Sequence, residues 1–202
     1  DIGEGFRFLW QQTFLRTTFF LVAGTNFGHA ALSLVLIVRA RNLGASSTLI
    51  GVMLALFSGG ALIGAFIAPW VQRNVRPSVL MIGSLWLWAA LTYALFFVKQ
   101  PLVLGALCGL QAVVGPPWNV VIGAYRYLLV PDRLLGRVGA AGSLVTWGSI
   151  PLGLLSAGYL IQSFGARATF LVLGGVFTVV AVAAVSARVI RQASRLEAMI
   201  PG

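Results

Sequence analysis

The chain has 202 residues, of which 9% are charged and 59% hydrophobic, and its formal net charge at pH 7 is +10. A soluble domain carries about a quarter charged residues, so this composition indicates a protein whose main solvent is lipid. The single cysteine, Cys108, excludes an internal disulfide and a CxxC metal motif, and all four acidic residues lie outside the long apolar stretches. Neither a metal site, a cofactor nor a catalytic residue is predicted.

Six apolar stretches, each near or above the roughly 20 residues that a membrane-spanning helix needs, follow one another along the chain. They cover residues 17–38, 48–70, 78–98, 101–130, 138–164 and 168–187. The pattern predicts an all-α membrane protein with six transmembrane helices. It also predicts three regions, which are an interfacial segment over 1–16, a helical bundle over 17–187 and a basic tail over 188–202.

The basic residues predict an orientation in the membrane. Of the 14 basic residues, only Arg39, Arg41, Lys99 and Arg167 fall on the side opposite the termini, which leaves ten on the side of the termini. Cytoplasmic loops carry an excess of lysine and arginine, so both termini are predicted to be cytoplasmic. The arginines separate apolar stretches and form no single basic face, which argues against a nucleic-acid partner.

The first span carries a polar stripe. At 100° per residue, Thr18, Asn26, His29 and Ser33 fall on one side of a helix. Polar side chains inside a membrane span face protein or a water-filled cavity. His29, near the middle of the span, either binds substrate or carries a proton, or it makes a hydrogen bond to a neighbouring helix.

Small residues recur in the second and fifth spans at a constant offset of 89 positions. The pairs are Gly59 with Gly148, Gly64 with Gly153, and Ala68 with Ala157. Such stripes allow close contact between helices in lipid. The offset is about the length of three helices, which predicts two three-helix repeats over 17–98 and 101–187.

The fourth span combines polar residues with two adjacent prolines. Gln111 and Trp118 share one helical face, and Asn119 lies at its edge. Pro116 and Pro117 each remove a backbone donor, so a kink that interrupts the helix is predicted near Gly115. Interrupted helices often form transporter sites, but neighbouring helices also tolerate static kinks.

Other classes of membrane protein fit the sequence less well. A rhomboid-like intramembrane protease places its histidine after a Gly-x-Ser-Gly motif, whereas His29 precedes the candidate serines Ser58 and Ser143. No Gly-x4-Gly-Lys loop for ATP is present. A membrane scaffold that transports nothing is the remaining alternative.

Four segments, in order, resemble the C-terminal half of the major facilitator superfamily, in its bacterial drug, macrolide and siderophore exporter branch. They are the segment from Glu4 to Arg16, Leu43–Ser46 with the Gly-rich span that follows, the loop motif of Pro131, Arg133, Gly136 and Arg137, and Phe164–Arg167 with Phe170 and Gly174. The turn over 71–76 departs from the family pattern because it lacks the Gly and Asp of the full loop signature.

The resemblance implies one half-bundle of the major facilitator fold, in a bacterial inner membrane. It implies export of a small molecule by alternating access, without enzymatic activity, and a partner in the missing N-terminal six-helix half, on the same or a separate chain. In the family, the first and fourth helices of each half line the cavity. The substrate-cavity candidates are therefore Asn26, His29, Ser33, Gln111, Trp118 and Asn119.

Overall fold

The structure is a computed structural model and describes residues 2–191. These residues form helices connected by short turns, with no strand among them. The helices are α1 (Ile2–Gln11), α2 (Thr13–Asn42), α3 (Ser47–Asn74), α4 (Pro77–Leu95), α5 (Pro101–Leu129), α6 (Asp132–Ser186) and α7 (Arg188–Arg191). Most of the predicted basic tail, residues 192–202, lies outside the described residues.

Five helices, α2 to α6, are long and apolar enough to cross a membrane. The longest, α6, has 55 residues and breaks at Gly165, where φ is 77° and ψ is 156°. Glycine adopts positive φ without the steric cost that a Cβ brings. We call the part before the break α6a (132–164) and the part after it α6b (166–186). They contain the fifth and sixth predicted spans, and the all-α membrane fold is confirmed.

Contacts with α2 show that the chain reverses direction at Gly165. Phe19 lies against Gly142 and Phe27 against Gly153, so α6a runs parallel to α2. Along α6b the order is opposite, because Phe177 lies against Gly28 and Val180 lies against Gly24, earlier in α2. The two parts of α6 therefore pass along α2 in opposite directions.

Small residues bring two pairs of helices into backbone contact. In α3, Gly60 and Gly64 lie against the backbone carbonyls of Gly109 and Val113 in α5, and in α6a Gly153 lies against the carbonyl of Phe27 in α2. A Cβ at any of these glycines would collide with that backbone. The second helix of each predicted repeat thus packs on the first helix of the other repeat. The repeat itself stays a prediction.

Two buried clusters fill the bundle. One, near the end where α1 docks, contains Phe14, Met81, Trp88, Tyr125 and Phe177 among others. The second, towards the other end, includes Val35, Met53, Leu95, Leu104 and Phe170. We call the end of the bundle where α1 docks the α1 end.

The predicted loop motif lies mostly in a helix. Pro131 directly precedes α6, whereas Arg133, Gly136 and Arg137 belong to the first turns of α6. Asp132 in the first turn favours a helix start here, because its carboxylate faces the positive end of the helix dipole. The prediction of a loop over these three residues was therefore wrong.

The interfacial segment forms α1 and docks on α6. Gly5 lies against the backbone of Arg137, and the Glu4 carboxylate accepts a hydrogen bond from the same arginine. This ion pair is half exposed, so its contribution to stability is about 0–1 kcal/mol. Phe6 and Trp10 remain exposed on α1. The close Gly5 contact rather than the ion pair therefore sets the docking position.

The predicted interruption at the proline pair is absent, since α5 continues through Pro116 and Pro117. Pro117 has no amide proton for the carbonyl of Val113, one turn earlier. That carbonyl instead meets the backbone of α3 at Gly64, where no side chain stands between the helices. We infer that this packing keeps α5 helical, and the predicted bend without a break stays a prediction.

Candidate functional site

A central cavity of about 270 Å³ lies where α2, α3, α4 and α5 meet. It brings together five of the six predicted cavity residues, which are Asn26, His29, Gln111, Trp118 and Asn119. α2 contributes the first two and α5 the other three. The polar stripe of the first span and the polar face of the fourth therefore border one space.

Aromatic rings form one wall of the central cavity. The ring of His29 meets Trp88 edge-on, with centroids 4.8 Å apart and planes at 89°, and its centroid lies 5.0 Å from that of Phe177. Trp88 in turn contacts Trp118 at 5.4 Å between centroids. Edge-to-face pairs of this kind contribute about 0.5–1.5 kcal/mol each beyond simple burial. His29 is thus held in orientation by rings from α4 and α6b.

A hydrogen-bonded network fixes Gln111 and Trp88. The indole Nε1 of Trp88 donates to the backbone carbonyl of Gln111 at 3.0 Å, and the Gln111 side-chain amide donates to Thr92 Oγ1 at 3.2 Å. Thr92 Oγ1 donates to the carbonyl of Trp88 at 2.7 Å. Gln111 is only 2% exposed, so its side-chain amide has little access to the cavity and is bonded within the protein to Thr92.

The two asparagines differ in their surroundings. Asn26 Nδ2 donates to the backbone carbonyl of Thr146 in α6a at 3.0 Å, which ties α2 to its neighbour. Asn119 is exposed along the open side of the groove between α2 and α5. Asn26 therefore has a structural bond, whereas Asn119 is accessible from outside the bundle.

Trp118 has a buried donor without an acceptor. Its side chain is 2% exposed, and its Nε1 has no hydrogen-bond partner within residues 2–191. Leaving such a donor unsatisfied costs about 1–3 kcal/mol. Because Trp118 lines the cavity, an acceptor on a bound molecule or a water would relieve that cost.

Ser33 lies apart from the central cavity. It lines a smaller cavity of about 140 Å³, further from the α1 end, that shares His29, Phe57 and Gln111 with the central one. The Ser33 hydroxyl donates to the carbonyl of Ala30 in its own helix at 2.7 Å. The other residues that line this smaller cavity are mainly apolar.

Sequence reasoning missed three aromatic residues at this site, namely Phe57 of α3, Trp88 of α4 and Phe177 of α6b. The polar side chains near them are hydroxyls of serine, threonine or tyrosine, which commonly bond their own helix and so do not mark a cavity face. The site offers aromatic surfaces and neutral hydrogen-bonding groups, and no group of three or more possible metal ligands occurs within residues 2–191. Its chemistry is suited to binding a ligand.

Comparison with known proteins identifies the family. The sequence profile of the Major Facilitator Superfamily matches residues 18–197. The chain is 32% identical, over 85% of its length, to "Multidrug efflux pump Tap" of Mycolicibacterium fortuitum. It is 31% identical, again over 85%, to the pumps of the same name from Mycobacterium bovis and Mycobacterium tuberculosis.

The aligned part covers 42% of the Mycolicibacterium fortuitum protein and 41% of the other two. The chain thus spans about two fifths of the length of these relatives. No solved structure gave a significant match. The family profile covers most of the chain, and the spanning helices and the cavity between α2 and α5 agree with it. This integral membrane chain belongs to the Major Facilitator Superfamily.

Proposed function

We propose that the chain forms one half of an exporter that moves small molecules across the membrane by alternating access. The observation that carries the proposal is the central cavity, which α2 and α5 border with predicted polar residues. The relatives' name, multidrug efflux pump, supports export. A rhomboid-like enzyme and a scaffold are not favoured by membership in this family.

The cavity is open along one side, which is why a second bundle is part of the proposal. Asn119 is exposed at its rim, and Gly115 and Pro116 line it from α5 without covering it. Polar groups open to lipid are costly. An N-terminal six-helix half, on the same or a separate chain, would cover this rim, and alternating access would rock the two bundles around the cavity.

The lining favours an aromatic ligand that carries a hydrogen-bond acceptor. The rings of His29, Trp88 and Phe57 offer faces and edges to such a molecule. The unpaired Nε1 of Trp118 supplies a donor. On this account His29 contacts the ligand, while Gln111 keeps Trp88 in place.

The proposal includes an orientation, with both termini in the cytoplasm of a bacterium and the protein in its inner membrane. The excess of arginine at the α1 end supports it. A membrane-impermeant thiol reagent added to intact cells should label Ser46→Cys, in the α2–α3 turn. No labelling at Ser46→Cys, with labelling of Arg133→Cys instead, would reverse the orientation.

Flux measurements test the transport proposal. The chain would be reconstituted in liposomes with and without a co-expressed N-terminal half, using rhodamine 123, a fluorescent aromatic probe whose ester carbonyl can accept a hydrogen bond. We expect saturable flux only with both halves. His29→Ala should weaken the apparent affinity of the pair by roughly fivefold, because one aromatic contact of about 1 kcal/mol is lost.

Ser33→Ala is the matched control, since that hydroxyl bonds its own helix and the substitution should leave the flux unchanged. Saturable flux by a chain shown to be monomeric would contradict the half-transporter proposal. Equal effects of the two substitutions would leave His29 with a packing role only.

A further inference from the structure

A third cavity, of about 220 Å³, lies at the α1 end of the groove between α2 and α5. Asn119 lines both this cavity and the central one, so the two adjoin. We call it the α1-end cavity. Its walls are mostly apolar and come from Phe14, Leu15, Phe19 and Ile122, while its one charged lining residue is Arg126.

Arg126 has no counter-charge among the described residues. Its Nε is buried and has no hydrogen-bond partner among residues 2–191, and its guanidinium carbon lies 5.3 Å from the centroid of the Tyr127 ring. The one ion pair among residues 2–191 joins Glu4 to Arg137. No carboxylate of these residues therefore lies within 4.0 Å of the Arg126 guanidinium.

Arginines at the other end of the bundle donate to backbone carbonyls, although the Nε of Arg39 is also buried without a hydrogen-bond partner among residues 2–191. Arg39 donates to the carbonyl of Val98 at 3.3 Å, and Arg167 donates to the carbonyl of Phe96 at 3.0 Å. Arg167 thereby caps the end of α4, where helix carbonyls lack internal partners, and Arg39 bonds the turn that follows. Within the part of the chain that the structure describes, Arg126 has no comparable bond to a backbone carbonyl, although it borders a cavity large enough for a small ligand group.

We propose that the α1-end cavity binds the anionic group of an amphipathic molecule, with Arg126 as its counter-charge and the apolar walls holding the adjoining hydrocarbon part. A guanidinium offers a planar set of donors that matches a carboxylate or phosphate. The neighbouring apolar residues exclude water from the contact, which strengthens the attraction between the charges.

The spacing along α5 sets the size of this molecule. Arg126 lies seven residues beyond Asn119, or about 10 Å along the helix. A chain of about ten carbons bound by its head at Arg126 would reach the junction with the central cavity. If this molecule is a transported substrate, the inference rests on the proposed function, whereas an anionic lipid headgroup could occupy the site without any transport.

Binding measurements test the site independently of flux. Radiolabelled decanoate and its neutral counterpart decanamide would be equilibrated with the full 202-residue chain in a nonionic detergent. We expect Arg126→Gln to weaken decanoate binding on the order of tenfold, because a charge-assisted contact is lost. Decanamide binding should not change, which also shows that the variant is folded.

Two further variants sharpen the test. Arg133→Gln removes an exposed arginine at the same end and should leave decanoate binding unchanged. Gly123 lines the cavity, and a Cβ there would meet nothing within 4 Å. Gly123→Leu should therefore fill the space and weaken the binding of both probes without a backbone clash.

Competition identifies the source of the anion. Short-chain phosphatidylglycerol, compared with phosphatidylcholine, would displace decanoate if a lipid headgroup occupies the site, whereas a site for free amphipathic anions would resist both lipids. Either result supports the proposal, provided that Arg126→Gln weakens the binding of decanoate. Equal decanoate binding by Arg126→Gln and the unmodified chain, or equal affinity for decanamide and decanoate, would overturn it. The binding test does not depend on transport. If the transport proposal fails and no flux is seen, the binding of decanoate should still depend on Arg126.

Discussion

The helices α3 and α4, which are consecutive in the chain, are both strongly apolar, yet they are buried to very different extents. Of the 28 residues of α3, four are buried, whereas seven of the 19 residues of α4 are. The four in α3 are Met53, Gly60, Gly64 and Ala68, which form a narrow stripe. The difference teaches that apolar character alone does not select the core of a membrane bundle, because lipid is as apolar as the protein interior.

The two helices also pack by different means. α3 makes its contact through Gly60 and Gly64, whose lack of a side chain lets the backbone of α3 approach α5. It leaves Phe66 78% and Trp70 65% exposed. α4 instead buries a large ring, Trp88, which both fills the core and borders the central cavity. The geometry of the helix contacts thus decides which apolar residues contribute to the free energy of unfolding.

The largest expected effect separates two tryptophans. Trp88→Ala should destabilise the chain by about 3–5 kcal/mol, because it leaves a cavity in the core and removes the bond to the Gln111 carbonyl. Trp70→Ala, on the exposed side of α3, should change the stability by less than about 0.5 kcal/mol. Thermal unfolding in detergent measures both, and similar losses for the two variants would break the comparison.

A smaller effect is expected for the glycine stripe. Gly64→Val places a side chain against the Val113 carbonyl and Pro116, so α3 and α5 must separate, at a cost of about 1–3 kcal/mol. Gly59→Val is the matched control in the same helix, because a Cβ there meets nothing within 4 Å. The same thermal unfolding assay applies, and an equal loss at Gly59 would show that helix propensity, not the close contact, is responsible.

Several features of this structure were accessible from sequence for clear physical reasons. The helical period of 100° placed Asn26 and His29 on one face, and the same reasoning grouped Gln111 with Trp118. Polar residues in an apolar span are informative because each needs a protein or aqueous neighbour. Their roles in binding stay predictions.

Other features depend on contacts between distant parts of the chain. Trp88 lies in a span whose polar side chains are hydroxyls, and those of Ser84 and Thr92 bond carbonyls of their own helix, so they did not indicate which face meets the cavity. The continuity of α5 at Pro117 depends on the contact with Gly64, more than fifty residues earlier. The Nε of Arg126 is buried beside a cavity that no local pattern reveals.

Water access to the groove between α2 and α5 tests the central claim most directly. In a Cys108→Ala background, Gly115→Cys would place a thiol at the central cavity, and Leu62→Cys would place one on the exposed side of α3. With the chain in liposomes together with its N-terminal half, a water-soluble thiol reagent should label Gly115→Cys much faster. Equal, slow labelling at both positions would contradict a ligand cavity between α2 and α5.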